Sequence, residues 1–479
     1  MHRVTIASKF HSRPALAKVA LLAVAATVVT ALAAAPSPAH AAFTLGYADG
    51  TTFDSSSAAV RQQWLGRAAA DGGQLALRVI SWRSVAPSKR GSGFDPTDPA
   101  DPAYDWGTYD GTVQDAVAAG LQPVLTVEGA PKWAEGKNRP KSAPDGTWKP
   151  SGKDLRDFAT ALARRYSGNF QGLPRVQYYQ AWTEPNLSDH LTPQYKGKKL
   201  VSADIYRQLL NGFYAGIKSV SGSNRVITGG TAPYGEPAGG DRARPLTFLR
   251  GVLCLKSRKQ LKATKCPTKA RFDILSHHPI NTSGGPTRSA LNPDDASSAD
   301  LPSVMKTLRA AEKQGTVAGG KHPLWATEFW WESNPPNPKL GVSPSKQAEY
   351  ISESLYLFWK AGATAAINLR VRDGRYDPKD PYGRSGTGTY FRSGKAKPAA
   401  RAMRFPFFAK RAHGKAEIWG KAPASGRVLI QAKRGKRWKR VDTLNAASDR
   451  IFHGKTHVSG NAKLRAKSGG QASLASRLK

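Results

Sequence analysis

Between residues 43 and 407, short apolar runs alternate eight times with amphipathic stretches of helical period, and few architectures accommodate that repeat. The runs fall at 43–48, 75–81, 121–127, 175–182, 225–230, 272–277, 323–329 and 364–370. The helical stretches between and after them cover 55–70, 108–119, 152–167, 202–219, 244–251, 299–314, 344–361 and 396–404. Ser151 stands where a helix N-cap belongs, and Ser343-Pro344 combines a cap with a first-turn proline. Strands separated by helices must pair in parallel, because each crossover returns the chain to the same end of the sheet. Eight units in succession fit a closed (β/α)8 barrel better than an open doubly wound sheet, and no G-x-G-x-x-G follows a strand. Trp64, Trp106 and Trp359 fall on the helical stretches and read as packing residues.

In such a barrel the chemistry sits where strands end and loops begin. The first strand ends near Asp49, the second at Ser81-Trp82-Arg83 and the third at Glu128-Gly129-Ala130-Pro131. The fourth runs into Ala181-Trp182-Thr183-Glu184-Pro185-Asn186, the sixth into His277-His278-Pro279, and the seventh into Thr327-Glu328-Phe329-Trp330-Trp331. A glutamate at a loop start is commonly a solvated residue or a helix cap. Glu184 and Glu328 differ in lying at the ends of strands that face each other, with tryptophan beside each. Cleaving a glycosidic bond needs one carboxylic acid to protonate the leaving oxygen and a second carboxylate to attack carbon or activate water. Trp82, Trp133, Trp182, Trp330 and Trp331, all at or just after strand ends, offer flat apolar faces suited to sugar rings. Glu128 is a candidate subsite residue, and Glu332 and Asp373 lie near enough to the mouth to be candidate substrate contacts.

AWTEPN and WATEFWW resemble the acid/base and nucleophile strands of the retaining glycoside hydrolases built on the TIM barrel, cellulase-like family 5 and xylosidase/iduronidase-like family 39. LRVISWRSVAP, TVEGAPKWA and FDILSHHP are similar to the second, third and sixth strands of that clan. The resemblance implies Glu184 as general acid/base and Glu328 as nucleophile. It places Arg78 near Glu328, holding it ionised, and brings His277 or His278 to the reaction centre, alternation allowing only one of them inward. Three departures bear on the substrate. Thr183 stands where the clan usually has asparagine, Ile280 where tyrosine is common, and the eighth strand lacks the usual tryptophan.

Both ends of the chain differ from the barrel. Arg3, Lys9, Arg13 and Lys18 precede an apolar run from Val19 to Ala35 and then Ala39-His40-Ala41, the layout of a secretory signal cleaved after Ala41. An extracellular, monomeric protein without a further membrane span is expected, with Cys254 and Cys266 free to pair. After residue 410 the helical period stops, and short alternating runs separated by glycine turns predict a small β-rich module over 410–479. Residues 401–479 hold 20 Lys and Arg against three acidic residues, a large share of the chain's formal net charge of +38. That charge suits an anionic polymer of a cell surface as well as a merely solvated face; with export in front, nucleic acid is not an expected partner. No metal or other cofactor is expected, since no His, Cys and Asp cluster has ligand spacing. The sequence therefore supports a secreted glycosidase acting on a carbohydrate, or a glycan- or polyanion-binding protein on a degenerate barrel.

Overall fold

The structure, a computed structural model, describes residues 42–478, so the expected signal peptide at 1–41 lies outside the described residues. Eight parallel strands form the barrel: β1 (Thr44–Ala48), β2 (Leu75–Ser81), β3 (Gln122–Glu128), β4 (Tyr178–Ala181), β5 (Arg225–Thr228), β6 (Leu275–His277), β7 (Leu324–Phe329) and β8 (Ala363–Leu369). They pair in sequence from β1 to β5 and from β6 to β8, with β8 beside β1. Bridges Ile227 to Ile274 and Thr231 to His277 bring β5 and β6 together and all but close the ring. The main helices are α1 (Ala58–Ala70), α2 (Tyr109–Ala118), α3 (Gly152–Arg165), α4 (Ser202–Val220), α5 (Pro245–Val252), α6 (Leu301–Lys313), α7 (Pro344–Lys360) and α8 (Pro398–Arg404). Ser57, Ser151 and Ser343 cap α1, α3 and α7, each accepting a hydrogen bond from the amide three residues on.

β6 is shorter than the apolar run 272–277, for a local reason. The Asp273 carboxylate accepts the Val226 amide at 2.7 Å, so a side chain takes the place of a regular ladder bond there. A small hairpin, Tyr195–Lys196 with Lys199–Leu200, lies between β4 and α4 and has no counterpart in the sequence pattern.

The barrel interior changes character along its axis. Alternation points every second side chain inward. On β3, β4, β6 and β7 the inward sequence runs from Val124, Tyr178, Ile274 and Trp325 to Thr126, Gln180, Ser276 and Thr327. The first set contributes to an apolar plug with Leu75, Leu77, Ile227 and Ile367. The second set hydrogen-bonds across the lumen: Thr126 donates to Gln180 at 2.7 Å, and Gln180 donates to Thr327 at 3.0 Å. A dry base thus supports a polar floor at the end where the loops emerge.

The C-terminal module contains two antiparallel sheets. β9 (Phe407–Ala412), β10 (Lys415–Lys421) and β13 (Ile451–Thr456) form one. β12 (Arg437–Ala446), β11 (Gly426–Arg434) and β14 (Lys463–Ser468) form the other, extended by two short strands. Phe405, Phe407, Ile418, Val428, Ile430, Phe452 and Leu464 make a shared core. The expected boundary at 410 falls inside β9, because glycine turns mark loops well but this strand follows α8 after only a Phe-Pro step. The module is docked on the barrel: Tyr356 of α7 stacks on Phe408 at 4.9 Å and donates to Glu417 at 2.5 Å. Cys254 and Cys266 are joined in a disulfide that closes the basic loop between them.

Candidate active site

Glu184 leaves the end of β4 in a tight turn. Trp182 and Glu184 have φ of +73° and +37°, a region that side chains with a Cβ adopt at a cost. The turn is pinned on both sides. The Glu184 amide donates to the Gly230 carbonyl at 2.9 Å, and the buried Asn186 side chain donates to Ala243 and accepts from the Ala232 amide. Gly230 must be glycine, since a Cβ there would lie 2.1 Å from Nε2 of His278. That close approach seats the His278 ring so that Nδ1 lies 2.9 Å from Oε1 of Glu184. On the other side, His190 Nε2 is 3.8 Å from Oε2 of Glu184, while its Nδ1 is 3.1 Å from Glu128. Burial pushes the Glu184 carboxyl up, but the His278 hydrogen bond and the charges of His278, His190 and Arg384 outweigh it and hold it below the usual glutamate value. Burial pushes His190 down, and the Glu128 hydrogen bond with the nearby carboxylates more than reverses this, so its pKa is raised.

Glu328, near the end of β7, has two partners of its own. Trp330 Nε1 donates to Oε1 at 3.2 Å, and the Arg384 guanidinium donates to the same oxygen at 3.2 Å. A cavity of about 120 Å³ opens beside it, lined among others by Asp54, Arg78, Gln180, Thr183, His278 and Glu328. Beneath it, Thr327 Oγ1 lies 3.2 Å from His278 Nε2 and also meets Ser276 and Gln180. His278 donates from Nδ1 to Glu184, while its Nε2 faces the Thr327 hydroxyl.

Of the residues singled out from sequence, Glu184, Glu328, His278, Thr183, Arg78 and Trp330 gather at this mouth. Others do not. Trp82 is fully buried and stacks on Phe158 of α3 at 5.6 Å. Trp182 is buried as well, and its indole donates to the His190 carbonyl at 2.8 Å. Their positive or helical backbone turns these rings outward from the lumen into the strand–helix layer, so neither offers a face to a sugar. Trp133 packs edge-on against Trp82 and donates to Pro87 at 2.8 Å, with Arg90 over its ring. His277 points away from His278: Nε2 donates to Ala296 at 2.9 Å and Nδ1 faces Thr231 at 2.8 Å, with burial pushing its pKa down to about 4.

Arg78 is ion-paired with Asp54 and lies over the Tyr109 ring. The cation bonded to Glu328 is instead Arg384, on the loop after β8. Glu332 and Asp373 are buried beside Lys397, away from the cavity lining. Arg384 and His190 escaped sequence reading because both sit on long loops, where spacing carries no register. Gln180 and Thr327 could have been found: they stand at inward positions just before the strand ends.

No protein-family model matches the chain, and no curated protein matches it. Two solved structures are similar in fold. A family 39 glycoside hydrolase from the gut symbiont Bacteroides cellulosilyticus WH2 aligns with a TM-score of 0.53 and 14% identity, over 88% of this chain and 81% of that one. A glucosidase from Croceicoccus marinus aligns with a TM-score of 0.51 and 13% identity, over 85% of this chain and 82% of its own. At such identities the likeness is one of architecture: the chain has the barrel fold found in TIM-barrel glycoside hydrolases.

Proposed function

We propose that this protein is a secreted glycoside hydrolase that cleaves O-glycosidic bonds by double displacement, with Glu184 as general acid/base and Glu328 as nucleophile. The observation that carries the reading is the meeting of two glutamates from β4 and β7 at one polar mouth, each held by its own hydrogen-bond partners. In the first step protonated Glu184 gives its proton to the departing oxygen while the Glu328 carboxylate attacks the anomeric carbon, forming a glycosyl ester. In the second, Glu184 takes a proton from water, the water attacks the same carbon, and Glu328 leaves. Binding of a sugar displaces Arg384 from Glu328; the bared negative charge then favours a proton on Glu184, as like charges at one site do. His278 positions Glu184 through its Nδ1 donor, and Thr183 and Trp330 face the sugar. The Cys254–Cys266 disulfide and the leader-like first 41 residues support export.

A panel of aryl glycosides provides the test. Glu184→Gln and Glu328→Gln should each lower turnover on a responsive glycoside by roughly 10²-fold or more. A 2-fluoro glycoside should leave its mass on the peptide containing Glu328, and the first product seen by NMR should keep the anomeric configuration. Unchanged turnover in both variants would falsify the assignment; inversion would retain the glutamates but change the role of Glu328 to a base. A second reading, glycan binding without turnover, is favoured by the low pKa of Glu184, which leaves the unliganded site without a ready acid. Saturable binding with no turnover across the panel would establish it instead.

A further inference from the structure

The outer face of the β12-β11-β14 sheet carries a field of cations that neither the barrel nor the proposed hydrolysis uses. Val428, Ile430 and Ala432 of β11 are buried in the module core, so Arg427, half-buried Leu429, Gln431 and Lys433 point outward. The ladder then identifies their neighbours. Gln431 is flanked by Arg440 on β12 and Arg465 on β14, and Lys433 by Trp438. Along β14, Lys463, Arg465 and Lys467 alternate with buried Leu464 and Ala466. Six cations therefore share one face: Arg427, Lys433, Arg440, Lys463, Arg465 and Lys467. Among the described residues none of the six is in an ion pair with a carboxylate. The acidic residue of this sheet, Asp442, pairs in register with buried Ile430 and belongs to the opposite set. Trp438 lies within the field, half-buried, with the Arg465 guanidinium 4.3 Å above its ring, and Arg465 is held there by a 2.8 Å hydrogen bond to Gln431.

We propose that this face binds a linear acidic polysaccharide, a chain of carboxylated or sulfated sugars. Neighbouring strands lie about 4.8 Å apart and alternate side chains about 6.8 Å apart. The cations thus form a lattice at roughly the rise of one sugar residue, matching a polymer with a charge on each unit or every second unit. Trp438, at the corner of this lattice opposite Lys433, supplies an apolar ring whose one face is covered by the Arg465 guanidinium and whose remaining surface is left for a sugar. A single aromatic among many cations fits a polymer whose charges dominate recognition better than a single-stranded nucleic acid, whose successive bases ask for several stacking platforms. A folded sheet without an exposed apolar ridge also lacks the means to insert into a lipid surface. The face acts independently of the two glutamates, so it would hold the enzyme on an anionic matrix whatever bond the barrel cuts.

The experiment uses the full chain, immobilised heparin and polygalacturonate as probes, and a thirty-residue oligo-dT and phosphatidylglycerol vesicles as competitors. The triple variant Lys433→Ala/Arg440→Ala/Lys463→Ala should weaken polysaccharide binding by roughly tenfold or more and flatten the dependence of log affinity on log salt by about two to three. Trp438→Ala should weaken binding while leaving that slope unchanged. Lys259→Ala/Lys262→Ala/Lys265→Ala removes as many exposed cations from the disulfide loop and should change little. Glu184→Gln should bind as the parent does, which separates failure here from failure of the hydrolase reading. Equal loss in the two triple variants, no loss in the first, or tighter capture by oligo-dT or vesicles than by either polysaccharide would overturn the proposal.

Discussion

His278 Nδ1 lies 2.9 Å from Oε1 of Glu184, and the ring is trapped between the backbone of Gly230 and the hydroxyl of Thr327. The contact makes the charge of Glu184 a function of a neighbour on a different strand. Three strand ends are needed to produce it: β4 supplies the carboxylate, the segment after β5 the glycine, and β6 the histidine.

Replacing that histidine should shift the pH behaviour of the site in a definite direction. Glu184 is held below its ordinary value of 4.5, so its contribution to stability is present above that value and is lost as pH falls through the lower folded pKa. In His278→Ala the depressing hydrogen bond is gone and burial acts unopposed by it, so the carboxyl titrates at higher pH. Turnover on an aryl glycoside should fall, and the alkaline limb of its pH profile, set by loss of the acid's proton, should move upward. Melting temperatures from pH 3 to 7 should show a weaker acid-side loss than in the parent. An alkaline limb that stayed in place would count against Glu184 as the acid.

Arg384 is about half exposed where it meets Glu328, so the pair is screened and contributes little to folding, under about 1 kcal/mol. Its effect should instead be on the reaction. Arg384→Ala should leave the melting temperature within about 2 °C of the parent while changing kcat and KM for a glycoside together, since the guanidinium is bonded to Glu328, the nucleophile of the proposed reaction. Thermal shift and initial-rate measurements on the same preparation separate the two effects. A loss of stability with unaltered kinetics would mean that the pair only braces the loop.

Much of this arrangement was legible in the residues. Strand β2 matches its apolar run of 75–81 residue for residue, and β7 ends at the LWATEF segment that carries Glu328. Period-two and period-3.6 patterns survive because every strand must bury one face in the barrel and another under helices. Side-chain direction at the rim was harder to read. Trp82 and Trp182 stand at strand ends, but the backbone there has left the extended conformation, and alternation no longer says which way a ring points. Arg384 is separated from Glu328 by 56 residues and reaches it only because a long loop folds back, a contact that no local pattern encodes.

The buried rings lead to a prediction opposite to that for a sugar platform. Trp82→Ala would remove a fully enclosed indole packed on Phe158 and leave a cavity, costing roughly 3–5 kcal/mol. Denaturant unfolding should register that loss, and KM for soluble substrates should change little in the fraction that remains folded. Trp330→Ala should do the reverse, because its indole nitrogen donates directly to Glu328.

Lys397 holds the loop that carries Arg384. Its buried ammonium reaches Asp373 at 2.7 Å, Ser333 at 2.8 Å and the Gly386 carbonyl at 3.0 Å, while the Gly386 amide donates to Glu332 at 2.7 Å. The segment after β8 is thereby tied to the segment after β7. Burial pushes the Asp373 carboxyl up from 3.8 to about 6 despite the lysine. The folded protein therefore binds a proton that the unfolded chain lacks between those two values, and this group makes the fold more stable as pH falls from about 6 towards 4. Lys397→Met removes the cation that offsets the buried carboxylates. The variant should lose roughly 3–5 kcal/mol at pH 7, and distinctly less at pH 5, where Asp373 takes up a proton and no charge is stranded. Urea unfolding at the two pH values measures the difference. An equal loss at both would show that Lys397 acts through packing alone, and that Asp373 is not the group its removal leaves exposed to burial.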